Sequence, residues 1–234
     1  MRRGVAIRGL TRRPDAVLFD LDGTLVDTMP AFADLAAEII ADRYDVRRPW
    51  ARLTYLDTSG LPFIQQLESV FRNRPENEAA SVEFEARKLA ICRAARMDAR
   101  TVAALGGLRS LGLKLAVSSN TPQAVVDEFS EREEFRFDLA LGFDPAAGLA
   151  KGGPHIDRAL AAFATARDAL VFVGDSLKDA ELAAENGVVF IGRVGTFLAD
   201  DFQRRTSAAL TVDHIDQLPE LMRAFPGPHR RRGG

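Results

Sequence analysis

The chain of 234 residues has one cysteine, Cys92, so no internal disulfide can form and no cysteine-rich zinc site can be assembled. Lysine is almost as scarce. Only Lys88, Lys114, Lys151 and Lys178 carry an ammonium, and arginine supplies the rest of the 31 basic side chains. A bias toward arginine of this breadth reads as genomic base composition rather than a phosphate-binding surface, but the scarcity makes each lysine worth following. A net excess of either charge is missing too. With 31 basic against 33 acidic side chains, no global field draws the chain to nucleic acid or to an anionic membrane, so any anion binding is local. No apolar run approaches the roughly 20 residues that span a bilayer, and residues 1–14 lack the hydrophobic segment of a secretion signal. These absences give the expectation of a cytoplasmic protein with neither nucleic acid nor membrane as partner. Both arginine-bearing ends, 1–14 and 227–234, read as solvated tails. The sequence does not give the oligomeric state.

What is present is a succession of short apolar runs. Residues 15–19 (DAVLF), 113–117 (LKLAV), 139–141 (LAL), 170–173 (LVFV) and 188–191 (VVFI) have the character of buried parallel strands, and each precedes polar or glycine residues and then a helical stretch. Strands alternating with helices give an α/β fold, a Rossmann-like parallel sheet with helices on both faces. The alternation fails once. From Pro30 to about Leu105 the periodicity is helical, with helices expected over 31–43, 62–72 and 76–95, and Pro49, Gly60, Pro62 and Pro75 as punctuation. This insertion reads as a small helical cap, residues 29–106, on a core formed by 1–28 and 107–234, with joints near Thr28-Met29-Pro30 and Gly106-Gly107.

In open parallel sheets, ligands bind beyond the carboxyl ends of the strands, and the chemically capable residues gather there. Asp20 and Asp22 follow the first run and, one residue apart in extended chain, can face the same side. Gly23 then permits a tight turn. The pair resembles part of a calcium loop, but the further ligands of a 12-residue EF-hand loop are missing. Asp175 and Asp179 follow the fourth run, where capping of a helix is the simpler reading. Beside Asp20 and Asp22, however, they form a concentration of carboxylates that a cation would relieve, and hard oxygen ligands with room for water and phosphate suit Mg2+. Ser119 and Asn120 lie where the second run turns toward a helix, with Pro122 near its first turn. They can cap that helix, and the same N-terminus can hold a phosphate. Lys151, in a turn before a helix expected from His155 to Ala164, is either a solvated lysine or a phosphate partner.

Taken in order, VLFDLDGTLVDT, LAVSSNT, a lysine before a helix, and FVGDSLKDAELAAENG resemble the four motifs of the haloacid dehalogenase-like hydrolase superfamily over about residues 15–200. The insertion matches the position of that superfamily's small cap. The resemblance implies that Asp20 is a nucleophile forming an aspartyl-phosphate, and that Asp22 is the acid and base. It also implies that Ser119 holds phosphate and that Lys151 steadies nucleophile and phosphoryl group. Gly23, Thr24 and Asn120 are then expected beside the phosphate. Mg2+ is expected between Asp20, the backbone carbonyl of Asp22, and Asp175, with Asp179 orienting its waters or Lys151. One departure stands out. The third motif often reads Lys-Pro-x-Pro, and here it is Lys151-Gly152-Gly153-Pro154.

Within that superfamily, Asp22 argues against dehalogenase chemistry, since a leaving alkoxide needs a proton donor. Phe32 stands where a sugar phosphomutase of the beta-phosphoglucomutase kind carries histidine, and Lys88 aligns poorly with a phosphonatase's Schiff-base lysine. The expectation is therefore a phosphatase acting on a small phosphorylated metabolite, most similar to phosphoglycolate phosphatases. A mutase-like phosphotransferase and a catalytically retired phosphate-binding domain are the alternatives.

Overall fold

The computed structural model describes residues 9–225 apart from residue 209. Its sheet forms because the apolar runs are buried on both faces: every residue of β1 (Ala16–Asp20) and of β4 (Leu170–Gly174) is buried. With β2 (Lys114–Pro122), β3 (Leu139–Phe143), β5 (Val189–Arg193) and β6 (Leu210–Val212) they make one parallel sheet in the order β3-β2-β1-β4-β5-β6. This is the α/β, Rossmann-like architecture expected; β6, only three residues long, was not anticipated. Side chains alternate along β1. Val17 and Phe19 enter one apolar cluster with α5 (Ala99–Ser110) and α10 (Leu218–Arg223). Ala16 and Leu18 enter another with α7 (Gly153–Phe163), α8 (Leu177–Glu185) and α9 (Ala199–Arg205).

Register positions the site. Phe19 lies opposite Val117 on β2 and Val173 on β4, so β1 and β4 end together, while β2 runs on past Ser118, which lies opposite Asp20. At β1 the strand order also reverses, which opens a crevice at its carboxyl end.

A third apolar cluster gathers α1 (Met29–Tyr44), α2 (Arg48–Asp57), α3 (Phe63–Val70) and α4 (Glu76–Ala94) around Phe32, Tyr55, Phe63 and Phe84, and takes in Val125 from α6 (Gln123–Arg132). Helix α2 escaped the sequence reading because Pro49 looked like punctuation. It lies in the first turn of that helix, where its missing N–H costs nothing. The expected joint at Gly106-Gly107 is displaced for a related reason: both glycines lie inside α5, whose Leu105 and Leu108 are fully buried with the sheet. A Cβ at Gly107 would stand 3.1 Å from Pro219, so glycine there lets α5 and α10 approach. The change of packing partner falls instead between Cys92, which packs with the helical insertion, and Ala95 and Met97, which pack with the first cluster.

Of the expected tails, residues 1–8 and 226–234 lie outside the described residues. The segment from 9 to 14 is not a solvated tail. Leu10 is buried in the first cluster, and Arg12 pairs with Asp15 at 2.9 Å. Among the described residues no helix is long and apolar enough to cross a membrane.

Candidate active site

At the end of β1, Asp20 is 4% exposed. Its Oδ1 accepts a hydrogen bond from Lys151 Nζ at 2.6 Å, and its Oδ2 accepts a longer one from Thr24 Oγ1 at 3.3 Å. The same ammonium lies 2.6 Å from Asp179 Oδ1. Asp175, after β4, is equally buried and accepts from the Thr196 hydroxyl beyond β5. One oxygen each from Asp20, Asp175 and Asp179 fall within 4.8 Å of one another.

This crowding is electrostatically costly. Burial pushes the Asp20 carboxyl well above the usual carboxylate range; Lys151 opposes the shift, and Asp179 and Asp175 add to it. Burial, then repulsion from Asp179, raises Asp175 to about 6. Burial alone would lower Lys151, but Asp179 and Asp20 outweigh it and hold the ammonium protonated. Ionising all three carboxylates against one ammonium would leave two negative charges uncompensated at a buried site, and that is the cost the raised Asp20 and Asp175 register. The donor set is all hard oxygen. A divalent cation therefore fits the residues present, in charge and in chemistry.

Asp22 stands apart from that cluster. Its Oδ1 accepts from Thr28 Oγ1 at 2.9 Å and its Oδ2 from Thr121 Oγ1 at 3.1 Å, so two hydroxyls fix a half-buried carboxylate at the pocket wall. Cys92, on α4, touches Thr121 Oγ1 through its sulfur at 3.8 Å. Thr28 and Thr121 were missed by sequence reasoning, as was Thr196; Thr28 precedes α1, Thr121 lies near the end of β2 and Thr196 follows β5, but no spacing marks a hydroxyl as a carboxylate's partner.

Ser119 lines the cavity, and the helix cap that was one of its two readings is not made. Strand β2 runs on to Pro122 and α6 begins only at Gln123, so Ser119 does not open the helix. Its Oγ accepts instead from the Thr121 backbone N–H at 3.0 Å. Asn120 is exposed at the pocket wall. At the fourth run both readings hold together. Ser176 caps α8 in a reciprocal box with Asp179, and Asp179 still reaches Lys151.

The departure in the third motif has a local cause. Gly152 adopts φ +106°, which proline cannot, and a Cβ there would stand 2.9 Å from Leu182. Lys151 reaches the cluster nevertheless. Behind it, fully buried His155 braces the loop. Gly142 O can only accept, so Nε2–H donates to it at 3.0 Å, which leaves Nδ1 to accept from Ser118 Oγ at 2.8 Å. Burial lowers this imidazole to about 4.

A cavity of about 430 Å3 opens over these groups. Its floor carries Asp20, Asp22, Ser119, Lys151 and Asp175. Its opposite wall comes from the helical insertion, chiefly Tyr55, Leu61, Phe63, Phe84, Glu85 and Lys88. Gly23 and Thr24, expected beside the phosphate, do not line the cavity and lie in the turn behind Asp20 and Asp22. Gly23 takes φ +84° with Thr24 buried beside it.

The family model described as haloacid dehalogenase-like hydrolase matches residues 14–187. A phosphoglycolate phosphatase of Cereibacter sphaeroides is 26% identical over 220 residues, covering 88% of this chain and 97% of its own. One from Synechococcus elongatus is 26% identical over 188 residues, covering 75% and 82%. Among solved structures, a haloacid dehalogenase-like hydrolase from Streptococcus pneumoniae superposes with TM-score 0.72 at 20% identity, over 90% of this chain and 97% of that one. CbbY from Rhodobacter sphaeroides, in complex with phosphate, does so with TM-score 0.65 at 20% identity, over 88% and 96%.

Proposed function

We propose that this chain, which belongs to the haloacid dehalogenase-like hydrolase family, is a Mg2+-dependent phosphatase that hydrolyses a small phosphomonoester through a phosphorylated Asp20. The observation that carries the reading is the placement of Asp20 at a strand end. There it is buried between Lys151 and the Asp175–Asp179 pair and faces a cavity large enough for a metabolite. The two relatives named phosphoglycolate phosphatase support phosphoglycolate as the substrate to try first.

In this scheme Asp20, Asp175 and Asp179 hold the cation, which when bound supplies positive charge that brings an anionic nucleophile and an anionic ester together. Asp20 attacks phosphorus, and the ester oxygen leaves as the alcohol with a proton from Asp22. Asp22 then takes a proton from water, the hydroxide displaces Asp20, and inorganic phosphate is released. Splitting the displacement in two suits a carboxylate nucleophile. Lys151 stays protonated throughout, since two carboxylates hold it, and it offsets charge on the equatorial oxygens. Thr28 and Thr121 keep Asp22 from swinging into solvent between its two proton transfers. Residues 30 to about 95 act as a cap that shields the site from water. Phe32, buried against Phe84, offers no acid or base of the kind a mutase needs. Lys88 does reach the cavity wall, but it does not suit Schiff-base chemistry. Burial would lower it, yet Glu85 and Asp22 outweigh that and raise it, whereas an imine-forming amine must be readily deprotonated.

Release of phosphate from p-nitrophenyl phosphate, with and without Mg2+, tests this directly. We expect turnover with the ion and none after chelation. Binding of phosphate without turnover under any divalent ion would leave a retired binding domain as the correct description.

A further inference from the structure

Among the described residues, two cations line the cavity, Lys151 and Lys88, and they are differently engaged. Lys151 is consumed by Asp20 and Asp179. Lys88 projects from α4 with its ammonium 5.4 Å from the centre of the Phe32 ring and its side chain 16% exposed. Its ion pair is with Glu85 at 3.4 Å, well beyond the roughly 2.7–2.9 Å of a strong charge-assisted bond. Glu85 is itself 48% exposed, so water competes for its carboxylate and the pairing is loose. Two of the three ammonium hydrogens are left for another acceptor.

Around Lys88 the wall offers little else to a charged ligand. Phe32, Tyr55, Leu61, Phe63 and Phe84 present apolar surface, Gln66 and Ser81 are neutral polar groups, and Glu85, the loose partner of Lys88, is the other charged group on this wall. A substrate whose phosphoryl group sits at Asp20 extends into this region, where the Lys88 ammonium, only loosely held by Glu85 on a largely apolar wall, is the one group among the described residues able to attract a second anion.

We propose that Lys88 recognises a second anionic group on the substrate. The class acted on is then phosphomonoesters whose alcohol carries a carboxylate or a second phosphate, in preference to those of neutral alcohols. This rests on the phosphatase reading and goes further, by assigning selection to one cap residue.

The test compares 2-phosphoglycolate, 1,3-propanediol bisphosphate and 2-hydroxyethyl phosphate on the full chain with Mg2+. The last is the neutral counterpart of the first. We expect wild type to favour at least one anionic-tailed ester over the neutral one by tenfold or more in kcat/KM, mainly through KM. Lys88→Met and Lys88→Gln should each cut that ratio at least tenfold, and Lys88→Arg should keep most of it. Whichever anionic ester loses more identifies carboxylate or phosphate as the group recognised. Two uncharged variants guard against one failing to fold, and circular dichroism checks both. A wild-type enzyme without anionic preference, or a ratio that survives loss of the ammonium, overturns the inference. No turnover of any ester, p-nitrophenyl phosphate included, would overturn the phosphatase reading itself and this inference with it.

Discussion

The backbone of Gly23 passes so close to Asp175 that a Cβ on it would lie 2.3 Å from the carboxylate oxygen Oδ2. The two strands bearing these residues end in register, and the turn after Asp22 folds back across the end of β4 at φ +84°. Only glycine meets both demands. Gly23→Ala should therefore displace Asp175, abolish tight binding of a divalent ion by calorimetry, and lower kcat/KM at least a hundredfold. A variant that binds the ion as wild type does would show that Asp175 is no ligand.

Lys151 is the counter-ion of two buried carboxylates, so Lys151→Met leaves Asp20 and Asp179 unpaired. Breaking a buried pair from one side costs about 3–5 kcal/mol. We expect a lower Tm without metal, partial recovery on adding Mg2+, and loss of most activity. A melting temperature that is unchanged in the ion's absence would contradict the pairing.

His155 makes stability depend on pH. Its folded pKa, about 4, lies below the roughly 6.5 of an unfolded histidine, so the unfolded chain takes up the proton first as pH falls. The contribution is complete above about pH 6.5 and is lost between there and about pH 4, amounting to no more than about 3 kcal/mol. Urea melts of wild type and His155→Gln across that window check this. The variant's stability should fall less steeply with acid, and parallel curves would mean that His155 is not held neutral.

Thr121 positions Asp22 without touching the reacting atoms. Thr121→Val should slow hydrolysis of alkyl phosphates about tenfold while affecting p-nitrophenyl phosphate less, because an activated leaving group needs little proton donation. Thr121→Ser should restore the rate. Equal losses on both substrates would point to a general packing defect.

The sequence carried the frame of this site. Asp20 and Asp175 were legible because buried strands advertise themselves as apolar runs and the polar residue that ends each run has to emerge at the sheet's edge. Other features depend on tertiary contact. The hydroxyls of Thr28, Thr121 and Thr196 gain meaning only once the sheet brings β1 beside β2 and β4 beside β5, and His155 only once α7 packs against Ser118. Helix α2 and the span of α5 were hidden because Pro49 and Gly106-Gly107 break helices in general, yet here occupy positions that tolerate them. Of the two readings open for Ser119, the helix cap is not made, because β2 continues further than its apolar run.

The most direct test of the central assignment is rapid-quench labelling with a 32P-phosphoryl donor on wild type, Asp20→Asn and Asp22→Asn. We expect hydroxylamine-sensitive label on wild type, and on Asp22→Asn when the donor has an activated leaving group, where slow hydrolysis lets the phosphoenzyme accumulate. None should appear on Asp20→Asn. Label that persists on Asp20→Asn would mean that another carboxylate is the nucleophile.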